Sequence, residues 1–215
     1  MAHSAIHNLP AAVLDWLGEL DLPEETRAAC ATCPLGCSDE QVAADPYAFR
    51  DDTRCCTYHP VLTSWQAGRI LEAGGQAAAL LLARMEDREG VDAECIRAPK
   101  DHLNLRLELG VKGFGRSLEA RCPFWVDGEL SCGIWEHRDA VCRTWHCRTT
   151  DGPRSTQLWR GMKTLLQGIE EYLQAYCMTH GEPPEDDAPT EAFVAWYRWC
   201  AQQVDALAVA CLLYT

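Results

Sequence analysis

Apolar residues recur at helical spacing in several stretches of the chain, and these stretches predict most of its regular structure. Val13, Leu14, Leu17 and Leu20 share one face of a helix over 9–20, with Pro10 near its start. A second helix opens at Pro60, runs to about Ala73 and is closed by Gly74-Gly75. Gln76 to Glu89, rich in Ala and Leu, predicts a third, ended by Gly90. After Pro153, the residues Leu158, Met162, Leu165, Ile169, Tyr172 and Tyr176 repeat through a long helix to about His180. Glu182 to Pro189 reads as a solvated acidic connection. Thr190 is placed to cap a last helix whose inward stripe is Phe193, Trp196, Cys200, Val204, Leu207 and Cys211.

Two stretches follow other rules. His102 to Leu109 alternates strictly between polar and apolar residues, which predicts a strand. Gly110, Gly113 and Gly115 follow it and suggest a turn or a close backbone approach. Residues 21–60 are turn-rich, and Asp127-Gly128 marks the tight turn of a hairpin. The expected fold is therefore mainly α. Helices support a cysteine-rich, loop-dominated metal-binding region over 1–150. Residues 151–215 supply a C-terminal antiparallel helix pair packed on it within one globular domain.

Composition narrows the function. The chain has 215 residues, enough to bury a core without disulfide staples, and a formal charge of −13. That acidity argues against nonspecific nucleic-acid binding and against anionic membranes. The amino-terminal residues lack a basic segment followed by an apolar run, and the longest apolar run, Ala77 to Ala83, is too short to span a bilayer. The expectation is a cytoplasmic protein. There are 13 cysteines, an odd number, so complete internal pairing is impossible. In a reducing compartment such cysteines read as metal ligands or catalytic thiols, and a secreted disulfide scaffold is the rival.

The cysteines are patterned. Cys122, Cys132 and Cys142 stand ten residues apart, each followed three positions later by a tryptophan: Trp125, Trp135 and Trp145. Cys147 closes the run. Thiolate is the soft ligand that zinc and iron–sulfur clusters select, and a bulky ring beside each ligand would dry the site. Arg121, Arg138 and Arg143 flank the thiolates, either to offset charge or to solvate a loop. A second group holds Cys30, Cys33, Cys37, Cys55 and Cys56. Cys30-Ala-Thr-Cys33 could hold one tetrahedral metal from a single turn, or act as a redox dithiol, but its surroundings are turn-like rather than strand–helix. The order C-x2-C-x3-C is the reverse of the radical-SAM order, and no β/α repeat accompanies it. Cys177, Cys200 and Cys211 fall on or beside inward helix stripes and read as core, as do Trp159, Trp196 and Trp199. Cys95 stands alone. His59, His137 and His146 sit near cysteines and could ligate, but hydrogen bonding to loop carbonyls is the favoured reading.

Cys122-Pro-Phe-Trp, Cys132-Gly-Ile-Trp-Glu-His-Arg138 and Cys142-Arg-Thr-Trp-His-Cys147 together resemble the zinc- or iron-chelating cysteine-cluster family, also called CxxCxxCC or YkgJ-like. Cys55-Cys56 matches its double cysteine, and the resemblance covers about residues 30–150. Asp139 stands where the family has proline, and 17 residues separate Cys37 from Cys55 where the family is compact. The resemblance implies metal binding, with iron–sulfur favoured. A related module occurs in the flagellin lysine methylase, which implies methyl transfer as an enzymatic alternative, although no Gly-rich nucleotide-binding turn is present.

The expected cofactor is an iron–sulfur cluster, most simply [4Fe–4S]. Cys122, Cys132, Cys142 and Cys147 are the first ligand set, and Cys55 or Cys56 are possible replacements. Cys30, Cys33 and Cys37 could complete it or form a second site. Trp125, Trp135, Trp145, Arg138 and Arg143 would surround the cofactor. Full thiolate ligation predicts electron transfer or redox sensing with a redox partner protein. An open iron predicts chemistry on a small-molecule substrate. A structural zinc protein or interaction module is the alternative, and a metal-free thiol redox enzyme is a third class.

Overall fold

The computed structural model describes residues 5–6, 9–18, 20, 22, 33, 36–45, 47–146, 149 and 151–207. Cys30, Cys147 and Cys211 lie outside them. Along the chain run α1 (Ala11–Leu17), β1 (Gly36–Cys37), α2 (Asp39–Ala44), β2 (Phe49–Arg50), β3 (Leu62–Thr63), α3 (Ser64–Ala73), α4 (Gly75–Glu86), β4 (Cys95–Ile96) and α5 (Lys100–Leu109). Next come β5 (Trp125–Val126), β6 (Ser131–Cys132), α6 (Ala140–Arg143), α7 (Gly152–His180) and α8 (Thr190–Asp205). The fold is mainly helical, as expected. The strands are two-residue ladders: β1 with β2 in parallel, and β3 with β4 and β5 with β6 antiparallel.

The core is built on α3. Its first turn is fixed by Gln66, whose Oε1 accepts from both the backbone N (3.0 Å) and the Oγ1 (3.0 Å) of Thr63. Trp65, Ala67, Ile70 and Leu71 are buried, and Gly74 ends the helix at φ 74°, where a side chain would be strained. α8 lies closest to α3. At the crossing a Cβ on Gly68 would stand 2.0 Å from the Tyr197 carbonyl oxygen, so only glycine permits this approach. α7 and α8 pack together as the C-terminal antiparallel pair, with Leu173, Cys177, Phe193, Tyr197, Cys200 and Val204 buried in the shared core. Cys177 and Cys200 are thus core residues. Trp159 and Trp196 are buried as well, and Trp199 packs partly buried against the same cluster.

Several sequence expectations change. The stretch 102–109 is not a strand. It forms α5, which starts after Pro99 and has no buried residue. Its Leu, Arg, Glu and Lys residues are good helix formers with no β-branched side chain among them, and no neighbouring strand offers a ladder to reward the alternation. The helix expected from Pro60 begins at Ser64, because Leu62 and Thr63 pair with Ile96 and Cys95 first. Thr190 is the first residue of α8, not its cap, and Pro189 holds the cap position. On α7 the buried stripe is Trp159, Met162, Leu166, Leu173 and Cys177, while Leu158, Leu165 and Tyr172 face outward. α2 was not expected. Ser38 and Gln41 close its capping box: Gln41 Oε1 accepts from Ser38 N at 3.0 Å, and Ser38 Oγ from Gln41 N at 3.5 Å.

Candidate metal centre

Four short pieces of chain carry the candidate thiols, and backbone bonds tie three of them together. Cys55 and Cys56 occupy the turn after Arg54, a residue at φ 52°. The Cys56 carbonyl accepts from Cys122 N at 2.8 Å, which joins that turn to the Cys122-Pro-Phe-Trp turn. Cys122 O then accepts from Trp125 N at 3.1 Å, starting the hairpin in which Trp125 faces Cys132. Asp127 to Leu130 turn the hairpin, where the Asp-Gly pair predicts it. Cys142 enters on α6, whose N-cap is Asp139: its Oδ1 accepts from Cys142 N at 2.9 Å.

Cys33 and Cys37 border the same region through the β1–β2 ladder. Gly36 packs on the Asp51–Arg54 turn so closely that a Cβ there would lie 2.6 Å from Asp51 Oδ1. Cys33, Cys37, Cys55, Cys56, Cys122, Cys132 and Cys142 are all half-buried. Cys122 and Cys132 pack against the edge of the apolar cluster.

Cys122, Cys132 and Cys142 are near enough for their charges to interact. Burial pushes the Cys122 thiol up to about 12, and a negative charge on Cys132 adds to the rise. Burial also raises Cys142 well above the ordinary thiol value, with Asp139, Cys122 and Cys132 adding to it. Anionic thiolates are therefore mutually disfavoured until a cation joins them. Among the described residues, however, no three His, Cys, Asp or Glu side chains already form a group able to hold a metal. Two candidate ligands, Cys30 and Cys147, lie outside those residues. Thiols are the soft donors that a thiophilic metal selects, but the described ones are not gathered into a metal-holding set. Arg54 Nη1 and Trp125 Nε1 are buried donors with no acceptor among the described residues.

The surrounding residues divide by role. Trp125 is buried and Trp135 half-buried, the latter beneath the Arg138 guanidinium at 3.5 Å. Arg138 also donates to the carbonyls of Trp135 (3.1 Å) and Cys142 (3.2 Å). Arg143 is buried and donates to the Arg138 carbonyl. Trp145 is 49% exposed and packs edge-on against Phe114 at 5.2 Å. Arg121 pairs with Asp127 and donates to the Asp52 carbonyl at 3.3 Å. His59 bonds a loop carbonyl, as favoured: its Nδ1 lies 3.2 Å from Pro60 O and its Nε2 3.2 Å from Arg84 Nη1. Burial and the Arg84 charge press it down to about 4, so Nδ1 carries the proton and Nε2 accepts. Cys95, unassigned from sequence, accepts from Arg97 Nε (3.2 Å) and Nη2 (2.8 Å).

Four residues that matter here escaped sequence reasoning. Tyr58 donates to Asp139 Oδ2 at 2.9 Å. Glu170, buried on α7, accepts from Gln66 Nε2 (2.9 Å) and Ala140 N (3.2 Å), so it ties α3 and α6 to α7. The signal for Asp139 was present: an Asp three residues before Cys142 has N-cap spacing. Arg54, set beside the double cysteine, was the fourth. A cleft of about 490 Å³ also opens next to the centre, lined by Thr57, Arg106, Leu109, Phe114, Ala120 and Trp145. Its size is that of a small-molecule site.

No helix among the described residues is long and apolar enough to cross a membrane. No protein-family model, curated protein or solved structure matches the chain, so the candidate centre stands on its own residues.

Proposed function

We propose that this chain binds an iron–sulfur cluster, most simply [4Fe–4S], and serves electron transfer, redox sensing or cluster-dependent chemistry. Cys122, Cys132 and Cys142 are its first ligands. Cys147, Cys55 or Cys56 supplies the fourth, and Cys30, Cys33 and Cys37 are the remaining donors. The observation that carries the reading is the Cys56–Cys122 backbone bond. It joins the double-cysteine turn to the hairpin that carries Cys132. The resemblance of these segments to a cysteine-cluster family supports the same conclusion.

A bound cluster would supply reversible one-electron chemistry. The chain's own residues do the rest. Asp139 holds the first turn of α6 and so orients Cys142. Arg138, stacked on Trp135, braces the loop between Cys132 and Cys142. Trp125 and Trp135 restrict water, which sets the local dielectric.

The test is iron, zinc and acid-labile sulfide per chain on protein purified without oxygen. Equal iron and sulfide near four each support a cubane. Loss of both in Cys122→Ser and Cys142→Ser variants assigns the ligands. Zinc without sulfide overturns the iron–sulfur reading in favour of a structural zinc protein. Absence of both metals overturns metal binding.

A further inference from the structure

The cleft beside Trp145 has a lining that the proposed function does not use. It encloses about 490 Å³, within the range of small-molecule sites. Its walls are apolar: Leu109 at the end of α5, Val111 in the turn that follows, Phe114 and Trp145. The aromatic wall is braced from behind. Phe114 stands edge-on to Phe49 at 5.4 Å and to Trp145 at 5.2 Å. Gly115 makes room for this arrangement, since a Cβ there would lie 2.3 Å from the Phe49 ring. Trp145 and Val111 both keep exposed surface that a ligand could cover.

Two polar side chains join these walls, and both bring donors. Arg106 comes from α5, and its guanidinium lies 5.4 Å from the Tyr58 ring centroid. Among the described residues no carboxylate pairs with it. Thr57 is 3% exposed. Its Oγ1 accepts from Gly115 N at 2.9 Å, which uses a lone pair and leaves the hydroxyl proton to donate. No acidic side chain lines the cleft, although the chain carries a formal charge of −13. An unpaired guanidinium and a buried hydroxyl beside apolar walls therefore select a ligand with an anionic end and an apolar body.

We infer that this cleft binds a small aromatic carboxylate, with Arg106 and Thr57 receiving the carboxylate and Phe114 and Trp145 the ring. The planar guanidinium fork matches a carboxylate in two parallel hydrogen bonds, and an aromatic wall favours a ring over an alkyl chain of similar size. None of these four side chains is a candidate metal ligand, so the inference does not rest on the metal-binding reading.

The experiment is isothermal titration of the full chain with three probes: 2-naphthoate, naphthalene-2-methanol (the same rings without the charge) and octanoate (the same charge without a ring). One naphthoate is expected to bind per chain, with the other two probes weaker by about fivefold. Arg106 is exposed, so Arg106→Gln is expected to fold as the parent does. It should weaken naphthoate about fivefold, leave naphthalene-2-methanol unchanged and remove most of the salt dependence of naphthoate binding. Trp145→Ala should weaken naphthoate and leave octanoate unchanged. Arg160→Gln removes an exposed charge that does not line the cleft, and it should leave all three affinities as they are. No saturable naphthoate binding at millimolar concentrations overturns the inference. So does uptake of several naphthoates per chain that Arg106→Gln does not change, which is apolar adsorption. A dimer in sedimentation that Val111→Asp disperses, in a chain that binds no naphthoate, also overturns it and gives this face to a second copy. The metal reading is tested separately by iron, zinc and sulfide content: a chain without metal that binds naphthoate upholds this inference alone, and a chain with a full cluster that binds none overturns this inference alone.

Discussion

Glu170 and Gln174 sit one turn apart on the buried face of α7, where an apolar stripe would ordinarily place leucine. Gln174 Oε1 accepts from Ser64 N (3.0 Å) and Ser64 Oγ (2.7 Å), as Glu170 accepts from Gln66 and Ala140. These partners explain why hydrophobic periodicity selected the neighbouring stripe through Leu165 and Tyr172. The true interior face of α7 carries two polar side chains whose acceptors serve α3 and α6. Burial and the nearby Asp139 push the Glu170 carboxyl up to about 8, against the bonds from Ala140 and Gln66 and the Arg143 charge. The unfolded group ionises near 4.5. Between those values the folded chain holds a proton that the unfolded chain has released, so stability falls as pH rises from about 5 to about 8. Asp139, also raised by burial, acts in the same direction. His59 governs the opposite limb: pressed down to about 4, it costs stability as pH falls below about 6.5. Glu170→Gln is expected to flatten the alkaline limb and leave the acid limb. The gain is on the order of 2 kcal/mol at pH 9. Urea midpoints at pH 5, 7 and 9 measure it, and an unchanged alkaline slope assigns the decline to another group.

At the scale of elements, capping and turn chemistry were the most legible signals. Gly74 ends α3 and Gly110 ends α5, each at positive φ, and Asp127-Gly128 turns the β5–β6 hairpin where the dipeptide predicts it. The strand expected over 102–109 failed because alternation marks a strand only where a second strand supplies hydrogen bonds. Here Leu107, 81% exposed, faces solvent from a helix. The α3–α8 crossing was illegible for a different reason. Gly68 looks like a helix-interior glycine, and nothing near it in sequence says that the Tyr197 carbonyl will pass at contact distance. The two glycines of α3 therefore separate two costs. Gly68→Ala forces the helices apart and is expected to destabilise by about 3 kcal/mol. Gly74→Ala meets nothing within 4 Å and strains only φ, costing about 1 kcal/mol. Thermal or denaturant midpoints of the two variants compare them, and equal losses would mean that α8 can slide off the crossing.

Across the whole molecule, the thiols and the core occupy different places, and this determines what metal removal does. The apolar cluster draws on α1, α3, α4, α7 and α8, with Phe124, Ile134 and Ala140 as its links to the centre. Cys122 and Cys132 touch only its edge. Cys122, Cys132 and Cys142 lie in a turn, on a hairpin strand and at a helix start, yet among the described residues they do not form a metal-holding group. The packing of Gly36 on the Asp51–Arg54 turn could not be read, because the two are brought together over a separation that no local pattern spans. In small zinc domains the metal supplies most of the folding energy, and chelation unfolds them. This chain has a helical core of its own, so a metal bound at its edge contributes by mass action to a structure that already stands. Stripping the metal with a chelator under reducing conditions is expected to leave the far-ultraviolet helical signal nearly intact. The melt should remain cooperative and shift several degrees downward. Tryptophan fluorescence should change more than helicity, because Trp125 and Trp135 border the centre while α3, α7 and α8 do not depend on it. Collapse of the helical signal on chelation would show instead that the metal nucleates the whole fold, and that the apolar cluster around α3 cannot stand without the hairpin and α6 held in place.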